Sequence, residues 1–576
     1  MYAYPAYPAY NMHGSFLTYN LRLFPFANGF QAVSVSLPTW KANVAYEEGE
    51  QWLFNKMECG YPRFFVHPII QELAGEIVSR YGNPSYDAAT MFPSPNTARA
   101  CHSFMLSQTP AEDAPKIRVV DFTPTHQLEA ELTTVRSLLS CVIYPKEFAN
   151  VAKQVWQHSG DGVSSRRGEF CLGALRDGLL VEDKKRFAID SPSHKIQKGP
   201  RRYRGRGSID GVNKAGSHGA IPVSQPSEGR ESVQFIEERF GRNLSTSLAD
   251  RAKIAVRRRI AGVLTADVDL NEALERTSEE GRVAGLSESD VFLFPSGMSS
   301  IFNCHRLLLG ARGPMKSVCF GFPYIDTLKI LEKWGPGCVF YGQGSSRDLD
   351  DLETRLSGGE RFLALFTEFP GNPLLKTPDL KRIQALAEKY DFAVVVDETV
   401  GNFLNINVLS SSDIVVSSLT KIFSGDSNVM GGSAVLNPHG QYYQLMKDAF
   451  GRGYEDNLWV EDSVFLERNS RDFVSRIEKI NHTTEDITAM LKDCPLGKSP
   501  LYGCYFLYSS KHRPVKNVYY PKYSPTLPLY EAFRTPHGGF GGLFSVTFHS
   551  TAEAIAFFDN LEVHKGPSLG TNFTLR

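Results

Sequence analysis

The sequence predicts an α/β fold: a mainly parallel sheet covered by helices on both faces. Two observations carry this. Between Arg361 and Ser418 apolar strand-like runs alternate with a helix-period segment. Those runs are apolar almost throughout, as strands need to be when both faces of their sheet are covered.

The elements read in order as follows. The opening MYAYPAYPAY is a small Tyr/Ala/Pro repeat with too little to pack, so residues 1–30 are expected to be a disordered tail. From about Val33 to Asp183 the chain turns mixed and apolar, with an aromatic cluster in PRFFVHP and a helix-like period across HQLEAELTTVRSLLSCVIY. His194 to Glu231 loses apolar spacing and carries the basic run KIQKGPRRYRGRG followed by Gly, Ser and Pro, the composition of a linker. Ser245 to Val263 has the spacing of an amphipathic helix.

The clearest unit starts at strand RFLALFTE (Arg361 to Glu368), turns through PGNP and continues as helix TPDLKRIQALAEKY. Thr377 is its expected N-cap, Pro378 its first residue, and Leu380, Ile383 and Ala387 its buried stripe. Strands FAVVV (Phe392 to Val396) and DIVVSS (Asp413 to Ser418) follow. In such sheets ligands bind outside the carboxyl ends of the strands. Asp397 and Lys421 lie there, each just past an apolar run.

Charge and cysteine content narrow the function. With 62 Lys+Arg against 63 Asp+Glu, no global field favours nucleic acid or an anionic membrane, so a charged ligand must be held locally. The nine cysteines are scattered singly without a CxxC pair, which speaks against a disulfide framework or a thiolate zinc site. No metal site is expected. No run approaches the roughly 18 apolar residues of a membrane span, and the expected location is the cytosol.

A carboxylate buried at a strand end is costly without a cation or donors, and so is a buried lysine. One ligand suits both: pyridoxal 5′-phosphate (PLP), whose ring nitrogen pairs with an aspartate and whose aldehyde condenses with a lysine amine. Five motifs make this specific. SLTKIFSGDSNVMGG resembles the lysine motif of the Cys/Met-metabolism PLP-dependent family, the trans-sulfuration enzymes. The resemblance implies the aspartate aminotransferase-like fold (fold type I), with Lys421 as the Schiff-base residue and Ser418 and Thr420 as phosphate-binding hydroxyls. Asp397 in VVVDETV then partners the pyridine nitrogen, and EFPGNP places Asn372 beside the cofactor's phenolic oxygen. FPSGMSSI resembles a turn into a helix whose N–H groups at Gly297 and Met298 bind the phosphate. Tyr324 in PYIDT matches a tyrosine that stacks on the ring. Lys421, Tyr324 and Asp397 are thus the implied catalytic residues.

SVSLPTWKANVAYEEGE, YPRFFVHP and GPSLGTNFTL resemble the fungal members of the family, which carry a long N-terminal region. The implied organisation is a fungal-type region at 31–190, a linker at 191–231, a PLP-binding large domain at 232–437 and a C-terminal α+β domain at 438–576. The implied activity is γ-replacement on an O-acylhomoserine, with cysteine adding to give cystathionine; sulfide or a carbon or nitrogen nucleophile is the alternative. The family's site is completed across a homodimer or homotetramer by a YxRxxNPT motif. Its nearest match is taken to be FIEERFGRNLS, with Arg239 the better candidate and Arg242 the other. Relatives also continue past SLGTNFTL to an arginine that clamps the substrate carboxylate, whereas this sequence stops at Arg576, which does not take that role. The C-terminal domain is therefore expected to be truncated, and a PLP-binding homologue without activity is the alternative of another class.

Overall fold

The computed structural model describes residues 32–129, 138–183, 248–276, 281–493, 515–566 and 570–571. The described residues up to Val181 and from Leu248 onward make one compact unit. Four strands come first, β1 (Asp87–Phe92), β2 (Arg118–Pro124), β3 (Leu139–Pro145) and β4 (Leu180–Glu182). They form a sheet in the order β1-β3-β2-β4, with β3 antiparallel to β1 and β2. Helices Pro68–Tyr81 and Ser165–Arg176 pack with it around a core containing Leu73, Ile77, Phe122, Leu139 and Leu172.

The helix-like period read across HQLEAELTTVRSLLSCVIY does not hold as one element. Among the described residues of this segment His126–Glu129 is helical, and the end of the segment is strand β3. All of Leu139 to Tyr144 is buried. A central strand covered on both faces has no polar alternation to reveal its period of two, so short apolar runs are ambiguous between strand and helix.

The second sheet has seven strands: β5 (Val291–Phe294), β6 (Ser317–Phe320), β7 (Cys338–Tyr341), β8 (Ala364–Glu368), β9 (Ala393–Asp397), β10 (Ile414–Ser418) and β11 (Gly432–Leu436). Their order is β5-β11-β10-β9-β8-β6-β7. β7, β6, β8, β9 and β10 are parallel, and β11 runs antiparallel to both β10 and β5. This is the predicted mainly parallel sheet. Its inner strands are apolar because helices cover both faces; Leu365, Phe366, Val395, Ile414 and Val435 are essentially inaccessible.

Helix Leu380–Tyr390 starts two residues later than the sequence suggested. Its N-cap is Asp379, whose side chain accepts the N–H of Arg382 at 3.1 Å, and not Thr377. Thr377 is buried, and its N–H donates instead to Thr526 Oγ1 at 2.9 Å. Two candidate caps two residues apart are decided by this tertiary contact. The expected stripe of Leu380, Ile383 and Ala387 is buried. The expected amphipathic helix also forms, over Ala249–Ala261.

Beyond β11 lie helices Val460–Asn469 and Phe473–Asp493, then a two-stranded antiparallel sheet of β12 (Val515–Tyr519) and β13 (Ser545–Phe548). The N-terminal sheet is tied to this part by two adjacent buried arginines. Arg166 donates to Asp462 at 2.9 Å and to the Asn428 carbonyl at 2.8 Å, while Arg167 reaches the carbonyls of Leu138, Pro93 and Asn457. Such charge-assisted bonds satisfy backbone acceptors that burial would otherwise leave unpaired. Among the described residues no helix is long and apolar enough to cross a membrane, and the seven described cysteines are free.

Candidate functional site

The parallel strands deliver their carboxyl ends to one edge of the sheet. Glu368 ends β8, Asp397 ends β9 and Ser418 ends β10, and Asp397 stands in register with Glu368 on one side and Val416 on the other. Asp397 and Glu368 line one cavity with Thr327, Thr367, Ile301 and Pro323. Asp397 accepts the Thr399 N–H at 2.9 Å, and the Thr399 hydroxyl in turn accepts the Ser418 N–H at 2.8 Å. Burial raises the Asp397 carboxyl above its ordinary value against the pull of Thr399, and Glu368 is raised by burial and by the charge of Asp397.

The next strand end presents a helix terminus. β5 leads through Ser296 into helix Gly297–Arg312, and the Ser296 side chain caps it by accepting the Ser299 N–H at 3.1 Å. The first-turn N–H groups of Gly297 and Met298 have no intrahelical acceptor, as at every helix start. Ser418 lies against them: a Cβ on Gly297 would come within 2.7 Å of Ser418 Cβ, so only glycine lets the two backbones approach. The Ser418 hydroxyl is buried and has no hydrogen-bond partner among the described residues. An anion placed there would meet free N–H groups, a positive dipole end and an unused hydroxyl. Thr420 is one turn away, and its hydroxyl is engaged with the backbone of Gly431, at 3.1 Å to the N–H and 3.3 Å to the carbonyl.

Lys421 follows at the end of β10. Its ammonium lies over the ring of Tyr61, 4.5 Å from the centroid. Its backbone is closed off by Gly570, whose φ of +72° and whose absent Cβ, 2.8 Å from Lys421 Cβ, leave no space for a side chain. Tyr324 precedes helix Ile325–Lys333, and its N–H donates to Glu368 at 2.5 Å. The Arg63 guanidinium sits 5.3 Å from the centre of the Tyr324 ring and is buried in an ion pair with Asp326. Asn372, in the turn after β8, supplies a backbone N–H to Glu368.

The structure thus brings Lys421, Asp397, Ser418, Gly297, Met298, Tyr324 and Asn372 to one edge of one sheet. Arg239 and Arg242, like the linker and the first 30 residues, lie outside the described residues. Sequence reasoning missed three contributors from the N-terminal region. Tyr61 and Arg63 were read within YPRFFVHP as part of the fungal resemblance, although their Tyr-x-Arg spacing is the one sought near Arg239. Asp161 was not singled out; it accepts from the Ser299 hydroxyl and, at 3.4 Å, from Asn303 in the first turns of helix Gly297–Arg312, and no local pattern marked it.

A PLP-dependent enzyme is the class this sheet and strand-end site fit, and the comparisons agree. The family model "Cys/Met metabolism PLP-dependent enzyme" matches residues 272–575, and "Fungal trans-sulfuration enzyme, N-terminal domain" matches residues 69–164. The chain belongs to the Cys/Met-metabolism PLP-dependent enzymes, in their fungal trans-sulfuration form. It is 49% identical to the cystathionine gamma-synthase of Neurospora crassa, over 94% of this chain and 88% of that one. It is 38% identical to the cystathionine gamma-synthase of Saccharomyces cerevisiae, covering 95% and 90% of the two chains. A cystathionine gamma-synthase-like enzyme of Amanita muscaria is 37% identical, with 94% and 87% covered.

Proposed function

We propose that this chain catalyses γ-replacement on an O-acylhomoserine, with cysteine as the incoming nucleophile and cystathionine as the product. The observation that carries this reading is the 49% identity with the Neurospora crassa enzyme across nearly the whole chain. The site geometry supports it. Bound PLP supplies an electron sink for the α-carbon of an amino acid. Lys421 would attach it and, as a free amine, would be the base that moves protons at Cα and Cβ. Asp397 would keep the ring nitrogen protonated. The N–H groups of Gly297 and Met298 and the hydroxyls of Ser418 and Thr420 would hold the phosphate. Asn372 would hold the ring oxygen and Tyr324 would pack against the ring. The orphaned Ser418 hydroxyl and the glycine-tight approach at Gly297 fit a phosphate cradle.

The reading includes at least a homodimer, with Arg239 as the candidate that reaches the neighbour's phosphate. Assaying the purified protein with O-acetylhomoserine and cysteine, sulfide or neither tests the reaction. O-acetylhomoserine should be consumed fastest with cysteine, giving cystathionine; faster turnover with sulfide would overturn the assignment of nucleophile. Light scattering at working concentration tests the assembly, and a monomer with full activity would remove the shared site.

A further inference from the structure

Glu368, at the end of β8, is a buried carboxyl that this reading leaves unused. It stands directly across from Asp397 in the parallel ladder, and both carboxyls line the same cavity. Two carboxylates so placed in a poorly solvated cleft do not both ionise without a cation between them. Among the described residues neither is in an ion pair.

The surroundings decide which of the two keeps a proton. Asp397 accepts from Thr399, whose hydroxyl and backbone both favour its charged form. Glu368 accepts only backbone N–H groups, from Tyr324 and Asn372. The other ionisable neighbours do not supply the missing cation. Glu398, next to Asp397, is neutralised by a two-pronged Arg282. His305, packed 5.9 Å from the Phe366 ring beneath β8, is pulled down to about 4 by burial and is uncharged at neutral pH. Arg63, beyond Tyr324, is taken by Asp326, and the Lys421 ammonium lies over the ring of Tyr61.

We propose that Glu368 is a positioning residue that keeps its carboxyl proton until a protonated ring nitrogen pairs with Asp397, and then gives it up. This rests on the reading of Asp397 as the partner of that nitrogen. The arriving pyridinium pairs with the Asp397 carboxylate, and Glu368 releases its carboxyl proton to solvent and becomes a carboxylate itself. No other bond changes. The release is favourable because a cation arriving at Asp397 cancels the like-charge repulsion that held the proton on Glu368. As a carboxylate, Glu368 still accepts the Tyr324 and Asn372 N–H groups, so both loops stay anchored throughout.

The test counts protons. Cofactor-free wild type and Glu368→Gln are titrated calorimetrically with pyridoxal 5′-phosphate at neutral pH, in two buffers of different ionisation enthalpy. Protons from lysine condensation cancel in the difference. Wild type should release about one more proton to solvent than Glu368→Gln, which has none to give; equal counts overturn the proposal. With a cofactor analogue carrying carbon in place of the ring nitrogen the difference should vanish, and its persistence also overturns the proposal. A second measurement needs no variant: cofactor addition to wild type should remove a protonated-carboxyl stretch from the infrared spectrum, and an unchanged band counts against Glu368. Asp397→Asn separates the two readings. Wild-type affinity and proton count in that variant would remove Asp397 from the ring nitrogen, whereas an altered count there, with equal counts for wild type and Glu368→Gln, removes the Glu368 proposal alone.

Discussion

The ammonium of Lys421 stands 4.5 Å from the centre of the Tyr61 ring, a residue of the N-terminal region lying over the lysine at the end of β10. The N-terminal region therefore forms part of the site. A cation over an aromatic face is held by about 0.5–2 kcal/mol, enough to bias where the amine points. Tyr61→Phe should keep this and capture cofactor almost as wild type does. Tyr61→Ala should weaken capture by roughly 2- to 30-fold, read from the visible absorbance of bound pyridoxal phosphate; equal loss in both variants would show that the hydroxyl is what matters.

Lys421→Ala and Asp397→Ala should fail in different ways. Without Lys421, borohydride reduction should fix no cofactor to the chain, and peptide mass spectrometry checks this. Without Asp397, the cofactor should still attach while turnover falls by at least about 100-fold, the scale on which positioned proton chemistry contributes. Near-normal turnover in Asp397→Ala would mean that another group protonates the ring.

Arg63 and Asp326 are each nearly inaccessible, with 3% and 4% of their side chains exposed, so removing one leaves the other buried and unpaired. Arg63→Met should destabilise the fold by about 3–5 kcal/mol in urea unfolding. The double variant Arg63→Met with Asp326→Leu should recover most of that loss. Both should raise KM, because the Tyr324 ring loses the guanidinium beside it; an unchanged KM would separate Arg63 from the site.

Asp161 gives a pH signature. Burial, opposed by donors from Ser299 and Asn303, pushes its carboxyl up to about 6 from an ordinary 3.8. A carboxyl raised in the folded state binds its proton more tightly there than in the unfolded chain, so its contribution is largest below pH 3.8 and is lost as pH rises through 6. The loss is on the order of 3 kcal/mol over that window. Asp161→Asn cannot titrate. The Tm of wild type minus that of Asp161→Asn should therefore fall between pH about 4 and 6, and a difference that rises would reverse the assignment.

The strand runs at Ala364–Glu368, Ala393–Asp397 and Ile414–Ser418 were legible because a strand covered on both faces must be apolar along its whole length. Lys421 and Asp397 were legible for a related reason. Each lies within a few residues of a strand end, and a parallel sheet carries all such ends to one edge. Gly297 and Ser418 were legible through the resemblance of FPSGMSSI and SLTKIFSGDSNVMGG to the family's motifs. The start of helix Leu380–Tyr390 was misplaced because Thr377 and Asp379 are both sound caps, and only the contact of Thr377 with Thr526 separates them.

What the sequence determined by itself is therefore what depends on short spacing: the order of the strands along the chain, the helix turn at Ser296, and the motifs around Lys421 and Asp397. The tertiary structure alone decided that Tyr61 lies over Lys421, that Arg63 joins Asp326 beside Tyr324, that Asp161 enters the first turns of helix Gly297–Arg312, and that Glu368 faces Asp397. Local spacing fixes which groups a segment offers and on which side. Which distant segment meets them follows from how the N-terminal sheet and the central sheet bury their surfaces together, and no window of sequence contains that.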